Sequence, residues 1–290
     1  MSAGDLITAD GQLEWRGTLL GSGSPFRMTK LEGWLDLPEM RADNPDRPGR
    51  HGGFQGNQLA GQRTVTLSYL VKGVPVADFG AVVTTLRTIT APAERPLEEP
   101  LVVRLDGESW LSNARCVRRT INVEKYYALG YTTGAIQWQA TDPRLYSVAE
   151  QRDVTALPSP PADGLPFPLT FPLVFGQGKQ GGRLRAVNSG GAASWPVWEI
   201  RGPVTGPVIA NRDTGERLVF DNTFTVGDEQ VLTIDTDART VLLNGVNRSD
   251  KLLTRGWFPI PANAAVQVDF TAASYDPKAS LTGRWRHAII

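Results

Sequence analysis

The sequence predicts a mainly β protein, with an N-terminal β-barrel or sheet domain that carries one helix and a C-terminal β-sandwich domain. Three observations lead to this fold class. Short apolar runs alternate with polar residues, turn signals recur roughly every 8 to 12 residues, and a single stretch has helical periodicity. A chain of 290 residues with 41% apolar content is large enough for one large β domain or two smaller ones.

The N-terminal region begins with short strands. Asp10-Gly11 lies at the centre of "LITADGQLEW" and predicts a hairpin. Residues 36–61 then lack apolar periodicity and are rich in Gly and Pro, which predicts a long loop. The loop contains a cluster of basic side chains, Arg41, Arg47, Arg50 and His51. The cluster is interpreted either as a contact with a partner or with passing nucleic acid, or as a solvated loop in which the acids Asp36, Glu39, Asp43 and Asp46 balance the charge.

A half-buried strand follows over 62–73, and residues 75–90 are the one convincing helix. Five apolar residues of this segment, at spacings of three, four and seven, form one stripe: Phe79, Val82, Val83, Leu86 and Ile89. Asp78 is the predicted N-cap, and Pro92 lies just past the end. The stripe is expected to pack against a sheet.

Strands resume after the helix, and "LDGESW" predicts a second Asp-Gly hairpin. A dense run of prolines then marks a semi-rigid extended linker, because proline is excluded from sheet interiors and helices. These prolines are Pro158, Pro160, Pro161, Pro166, Pro168 and Pro172. The predicted organisation is therefore an N-terminal domain over 1–150, a linker over 151–175 and a β-sandwich over 176–290.

Residues 211–245 of the second domain are dense in carboxylates, a pattern compatible with either a metal site or the turns of a β-sheet. Nearly all of the acids fall at turns or strand ends, where Asp and Asn cap backbone groups. Asn244-Gly245 predicts a further hairpin. A calcium loop would need more oxygen ligands at set spacing and a late bidentate Glu. The turn interpretation is favoured, and no metal or cofactor is predicted.

Composition excludes several function classes. Thirty basic and thirty acidic residues give a neutral chain, without the excess of a dedicated DNA binder. The single Cys116 forms no internal disulfide, and no zinc, P-loop or nucleophile-elbow motif occurs. Neither a signal peptide nor a membrane span is expected from the sequence. No enzymatic activity and no catalytic residue are predicted, although a glycosidase with two facing carboxylates was considered.

Three tryptophans of the second half allow a different hypothesis. Trp195, Trp198 and Trp257 could stack on sugar rings, which would make the C-terminal domain a carbohydrate-binding module for host surface glycans. The alternative is that they pack in the core or at an interface, the commoner fate of tryptophan.

The order of motifs resembles the distal tail (Dit-like) proteins of long-tailed, non-contractile bacteriophages. "LEGWLDLPEMR" and "RTVTLSYLVKG" match the first half of that family. "VNSGGAASWPVWEIRGPV" and "VGDEQVLTIDTDARTVLLNG" match the second half, and the resemblance covers nearly the whole chain. The sequence departs from the family where Pro261-Ala262-Asn263 replaces a Pro-Gly-Asn turn.

The resemblance implies a structural component of the siphovirus virion at the tail tip or baseplate. It implies a homohexameric ring of N-terminal domains and an outward-pointing galectin-like C-terminal sandwich. The loop 36–61, with Arg41, Arg47, Arg50 and His51, is then the expected inter-subunit or lumen-facing loop. The implied partners are the tail tube protein, the tail-associated hub protein and, in some phages, a receptor-binding protein. DNA would pass through the lumen without specific binding, there would be no membrane insertion, and assembly would occur in the host cytoplasm.

Overall fold

A computed structural model describes residues 2–95, 97–159 and 181–290. The chain divides into two compact units of similar size. The first runs to Val148 and includes Ile290, and the second is Ala149–Ile289. The mainly β fold predicted from the sequence is confirmed, with a single α-helix in the described part of the chain.

The first unit contains ten strands, one α-helix and a 3-10 turn. The strands are β1 Gln12–Trp15, β2 Thr18–Gly21, β3 Phe26–Glu32, β4 Met40–Ala42, β5 Gln58–Ala60, β6 Arg63–Val71, β7 Glu99–Leu105, β8 Glu108–Ile121, β9 Thr132–Ala140 and β10 Leu145–Ser147; the helices are α1 Val76–Ile89 and the 3-10 turn Tyr127–Leu129. Seven strands form a sheet in the order β2-β1-β7-β8-β9-β6-β3, with β10 beside β8. Among the described residues β2 and β3 are not hydrogen-bonded to each other, so this is an open sheet and not a closed barrel.

Strand β8 belongs to two parts of this sheet. Its first half, Glu108–Ala114, pairs with β7, and its second half, Arg115–Ile121, pairs with β9 and contains a bulge between Cys116 and Arg118. A bulge bends a strand and increases its twist. The second half of β8 therefore forms a four-stranded layer with β9, β6 and β3, which we call the four-stranded layer.

The core of the first unit lies between the sheet and α1. Trp15 and Trp138 are buried and pack edge to face with ring centroids 5.8 Å apart. The indole nitrogen of Trp15 donates to the carbonyl of Ile89 at 2.9 Å, which attaches the end of α1 to β1. Phe79, Leu86 and Ile89 of the predicted stripe are buried, whereas Val82 and Val83 are half-buried.

The start of α1 differs from the prediction. The N-cap is Pro75, which has no side-chain capping bond, and Asp78 lies in the first turn. The backbone N–H groups of Asp78 and Phe79 instead bond to the carbonyl of Pro75. A carboxylate in the first turn still interacts favourably with the helix dipole, so Asp78 stabilises the helix without capping it.

Of the predicted hairpins, those at Asp106-Gly107 and Asn244-Gly245 are confirmed, since all four residues have the positive φ of a type I′ turn. The prediction at Asp10-Gly11 was wrong. The β1–β2 hairpin turns at Arg16-Gly17, whose φ angles are 48° and 67°. The strands that flank it were recognisable, but an Arg-Gly turn carries a weaker signal than Asp-Gly.

The second unit is a sandwich of two antiparallel sheets. Its strands are β11 Gln151–Ala156, β12 Arg183–Asn188, β13 Val197–Arg201, β14 Val204–Thr205, β15 Val208–Asn211, β16 Arg217–Phe220, β17 Thr225–Val226, β18 Val231–Asp235, β19 Thr240–Leu243, β20 Val246–Asn247, β21 Leu252–Arg255, β22 Ala264–Thr271, β23 Ser280–Trp285 and β24 Ala288–Ile289, with a 3-10 turn at Ser249–Lys251. The order is β11-β23-β13-β18-β19-β20 in one sheet and β12-β22-β15-β16-β21 in the other. Inward residues of both sheets form one apolar core that includes Trp198, Phe220 and Phe270.

The segment predicted as a linker, 151–175, starts with a strand. Residues 151–156 form β11, which pairs along its length with β23. Thr155 is buried there, but Val154 faces outward, so the segment lacks the apolar alternation by which a strand is recognised. Residues 160–180, which include five of the six prolines, lie outside the described residues.

Candidate interaction surfaces

Residues 36–61, which we call the arm, form a β-hairpin and not the irregular loop predicted. Strands β4 and β5 pair from Met40↔Ala60 to Ala42↔Gln58, and a further bridge joins Asp46 and Gly53. Backbone bonds hold the two sides together, for example from the N–H of Phe54 to the carbonyl of Pro45 at 2.8 Å, and the N–H of Gly56 donates to Oδ1 of Asn44 at 2.9 Å. No face of the arm is buried, so no period-two apolar pattern arises in its sequence.

The arm is exposed along most of its length. Every residue from 41 to 55 is exposed. Four large apolar side chains on the arm and its base are each more than half exposed: Leu35, Leu37, Phe54 and Leu59. An isolated two-stranded hairpin is at best marginally stable in water, and exposed apolar groups at this density mark an interaction site.

The predicted basic cluster lies on the arm in two places. Arg41 is on β4, whereas Arg47, Arg50 and His51 belong to the turn at the tip. The guanidinium of Arg47 lies 5.1 Å from the centroid of the Phe54 ring, a cation–π contact. The structure therefore brings three of the four residues to the tip and leaves Arg41 nearer the base.

The base of the arm is fixed by Arg63, the first residue of β6, which is 1% exposed. Its Nη1 donates to the carbonyls of Gly33, Trp34 and Asp36 at 2.7, 3.0 and 2.9 Å. Its Nε donates to the carbonyl of Pro143 at 2.7 Å. Burial lowers the pKa of Arg63, and the nearby carboxylates oppose this shift. Arg63 was not predicted from the sequence, since a basic residue at a strand start carries no specific signal.

The three candidate tryptophans differ in burial. Trp198 is 0% exposed, and its ring centroid lies 6.0 Å from that of Phe258 in the sandwich core. Trp198 is therefore unable to stack on a sugar, and that prediction is corrected. Trp195 and Trp257 are half-buried, and Trp257 packs against the core. The outward positions of β12, β22, β15 and β16 carry aliphatic, hydroxyl, amide and charged side chains, without an aromatic ring.

The carboxylates of 211–245 lie at turns. The Oδ1 atom of Asp221 accepts from the backbone N–H of Thr223 at 2.8 Å, and the Oδ1 atom of Asp235 accepts from that of Ala238 at 2.9 Å. Asp228 pairs with Lys278 at 3.0 Å. Within the described ranges, 2–95, 97–159 and 181–290, no group of three or more His, Cys, Asp and Glu side chains could hold a metal ion.

Cys116 is half-buried on β8, and burial raises the pKa of its thiol. A reactive cysteine needs the opposite shift, towards the thiolate. This geometry gives no support for a cysteine nucleophile.

Asn188 explains one of the motifs on which the family resemblance rests, the "N-x-G" of Asn188-Ser189-Gly190. The side chain is fully buried, and its Oδ1 accepts from the N–H groups of Gly190 and Ala288 at 3.0 and 3.2 Å. Its Nδ2 donates to the carbonyl of Ala192 at 2.7 Å. A Cβ at Gly190 would lie 2.0 Å from the carbonyl oxygen of Ala288. The motif is therefore a structural junction of the sandwich.

Comparison with known proteins gives two kinds of similarity. Residues 189–285, a third of the chain, match the family described as siphovirus-type tail component, C-terminal domain. A search of curated proteins found no significant match. None of the helices in the described part of the chain is long and apolar enough to cross a membrane.

Two solved structures share the fold. The Dit protein of phage SPP1, described as a paradigm of the hub adsorption apparatus in phages that infect Gram-positive bacteria, aligns with a TM-score of 0.65 and 12% identity, over 96% of this chain and 99% of that one. A chain of the phage P2 baseplate, described as in its activated conformation with Ca, aligns with a TM-score of 0.52 and 12% identity, over 94% of this chain and 97% of that one. The family resemblance predicted from the sequence is confirmed.

Proposed function

We propose that this chain, a Dit-like siphovirus tail component, forms a homohexameric ring that joins the tail tube to the hub and host-recognition apparatus at the tip of a phage tail. The role is structural, and no catalytic step is assigned to any residue. The observation that carries the proposal is the combination of an exposed arm with two free sheet edges in the first unit.

The two free edges belong to the four-stranded layer. Neither β3 nor the second half of β8, Arg115–Ile121, has a hydrogen-bonded neighbour on its outer side among the described residues. The two edges have similar lengths, and consecutive strands of the layer are antiparallel. Edge β3 of one copy would therefore meet edge β8 of the next copy antiparallel. Such a head-to-tail contact uses two different surfaces and generates a ring when the rotation closes.

The arm supports the same arrangement, because its apolar side chains need a surface that the described residues of its own chain do not supply. Burying one large apolar side chain contributes about 1.5 to 3 kcal/mol. Leu37, Phe54 and Leu59 together would thus stabilise a contact with a neighbouring copy by several kcal/mol before the entropy of association is subtracted.

Native mass spectrometry tests the ring. We expect the full chain to give a mass near six times 31.5 kDa. Replacing residues 43–57 by a two-residue Asn-Gly turn should join Ala42 to Gln58 without strain. This variant should lose the hexamer, while its free energy of unfolding changes by less than about 1 kcal/mol, because no residue from 43 to 55 is buried.

Two double-substitution variants control for the replacement of residues 43–57. Phe54→Ser with Leu59→Ser should weaken the ring, whereas Val246→Ser with Leu253→Ser, equally exposed but in the second unit, should leave it intact. A hexamer that survives the shortened arm would refute the role given to the arm. A wild-type monomer at every concentration would refute ring formation by the isolated chain.

The proposed partners and location are those that the family resemblance implies. We assign the protein to the tail tip of the virion after assembly in the host cytoplasm, in contact with the tail tube protein and the hub protein. A receptor-binding protein would be an additional partner in some phages. DNA would pass through the lumen of the ring, and Arg47, Arg50 and His51 at the tip of the arm would contact either a neighbouring copy or the lumen.

The runner-up function is glycan binding by the galectin-like second unit. Half-buried Trp195 and Trp257 keep this hypothesis testable, although Trp198 no longer contributes to it. We expect that the Trp257→Ala substitution does not reduce the binding of the full chain to any glycan on an array. A signal lost with both Trp195→Ala and Trp257→Ala, in variants that retain wild-type thermal stability, would favour the carbohydrate-binding function.

A further inference from the structure

The outward-facing side chains of the four-stranded layer form a surface that we call the outer face. They alternate along each strand with buried core residues such as Leu67 and Ile136. On the two central strands, β6 and β9, the outer face carries mostly hydroxyl and amide groups, two aliphatic side chains and no charged residue: Thr64, Thr66, Ser68, Leu70, Thr133, Ala135, Gln137 and Gln139. A sheet surface of this kind offers hydrogen-bond donors to a polar partner, and Leu70 is the one large apolar side chain in this set.

The two flanking strands add positive charge. The β3 flank presents Arg27, Lys30 and Glu32, which lie opposite Leu70, Ser68 and Thr66 in the register.

On the β8 flank, Arg115 and Arg118 lie opposite Gln139 and Gln137. The outer face therefore carries four cations and one carboxylate, although the whole chain is neutral.

The four cations of the outer face differ in whether they already bond to a side chain of the same protein. Lys30 is 2.6 Å from Glu32, and Arg115 donates to Gln139 at 3.0 Å. The exposed guanidinium groups of Arg27 and Arg118 have no protein acceptor among the described residues. A guanidinium donates five hydrogen bonds in a planar fork that matches phosphate oxygens.

We infer that the outer face binds the phosphate backbone of DNA through Arg27 and Arg118, with the neutral hydroxyl and amide groups of β6 and β9 between them. This inference deepens the proposed function and rests on it, since a lumen that DNA crosses is where such contacts would act. Contacts to phosphate alone carry no sequence information and weaken steeply with salt. The binding is therefore weak and sequence-independent. Such binding is what a surface needs if DNA is to move past it.

The free edges strengthen this inference. Pairing of β3 with β8 of a neighbouring copy would bring Arg27 and Lys30 close to Arg115 and Arg118 at each seam. Like charges on adjacent strands destabilise a sheet, and a polyanion on the outer face would offset this repulsion. DNA binding and ring closure are then coupled, and each strengthens the other by the same factor.

The test is fluorescence anisotropy with a labelled DNA duplex of about 20 base pairs, roughly two helical turns, titrated with the full chain between about 50 and 200 mM salt. The variant Arg27→Gln/Arg118→Gln removes two phosphate contacts per chain. For each chain bound, we expect the slope of log K against log salt to become shallower by about 1.8, since each phosphate contact contributes about 0.9. The control Arg152→Gln/Arg185→Gln removes two exposed arginines of the second unit and should keep the wild-type slope.

Three outcomes would overturn the inference. The first is that the wild-type chain does not bind the duplex at the lowest salt concentration. The second is that Arg27→Gln/Arg118→Gln keeps the wild-type slope of log K against log salt. The third is that DNA binding is lost in the arm variant Arg47→Gln/Arg50→Gln but not in Arg27→Gln/Arg118→Gln. Native mass spectrometry of the same samples reads ring formation separately. If the chain binds DNA but stays monomeric, ring formation is refuted and DNA binding by the outer face is supported. If the chain forms a hexamer but does not bind DNA, ring formation is supported and DNA binding by the outer face is refuted.

Discussion

Arg63→Met should lower the free energy of unfolding of the first unit by about 3 to 5 kcal/mol, as expected when a buried, hydrogen-bonded charge is removed. Methionine keeps most of the side-chain volume but leaves four backbone carbonyls without their donor. These are the carbonyls of Gly33, Trp34, Asp36 and Pro143. Each buried acceptor left unpaired costs about 1 to 3 kcal/mol, partly recovered because the buried cation is lost as well.

Hydrogen exchange measured by mass spectrometry in increasing urea separates the two units and gives the stability of each. The matched control is Arg115→Met, a half-buried arginine with one side-chain bond, to Gln139. That substitution should cost less than about 1 kcal/mol. Arg63→Lys should fall between the two, since lysine restores the charge without the planar fork. A loss below about 1 kcal/mol in Arg63→Met would contradict the role of Arg63.

Arg63 also predicts where the loss of order begins. Three of its four acceptors lie in residues 33–36, at the point where β3 leads into the arm. Peptides that cover this segment should therefore exchange faster in Arg63→Met than in the wild type, under conditions in which β9 remains protected. Ring formation should weaken with it, because the arm would lose its fixed direction.

Asn188→Ala should destabilise the second unit by about 2 to 4 kcal/mol, the result of leaving several buried backbone groups unpaired at once. The amide accepts from Gly190 and Ala288, and it donates to the carbonyls of Ala192 and Pro261. Alanine replaces none of these bonds and leaves a polar cavity. Asn188→Asp should be at least as harmful, because a carboxylate would face carbonyls that need a donor.

Urea denaturation of each variant, followed through the same exchange peptides, gives the comparison. The matched control is Asn247→Ala, an exposed asparagine whose Oδ1 atom accepts from the N–H of Ser249 at 2.8 Å. It should change the free energy of unfolding by less than about 1 kcal/mol. If Asn188→Ala behaves like this control, the junction that we assign to the "N-x-G" motif does not exist.

Local patterns were sufficient for several features. The apolar stripe at spacings of three and four predicted α1, and Asp106-Gly107 and Asn244-Gly245 predicted their hairpins, since each depends on backbone preferences of adjacent residues. The "N-x-G" motif, with other turn and strand motifs, predicted the family. Acids between short strands predicted turns for Asp221 and Asp235, because a short polar side chain caps its own backbone.

Other features depended on partners far away in the sequence. β11 is a strand because β23 offers it a free edge, although the two lie more than a hundred residues apart. The arm is a hairpin without any apolar alternation, because the pairing of its strands does not depend on a buried face.

Trp198 is buried against Gly283, whose missing side chain leaves room for the indole ring. A Cβ at Gly283 would lie 2.5 Å from that ring. The sequence by itself therefore determined the fold class, which arises from periodicity and turn chemistry, and its motifs carried the family resemblance. The tertiary structure alone decided which side chains are available to a partner, because burial depends on residues that the chain brings together only on folding.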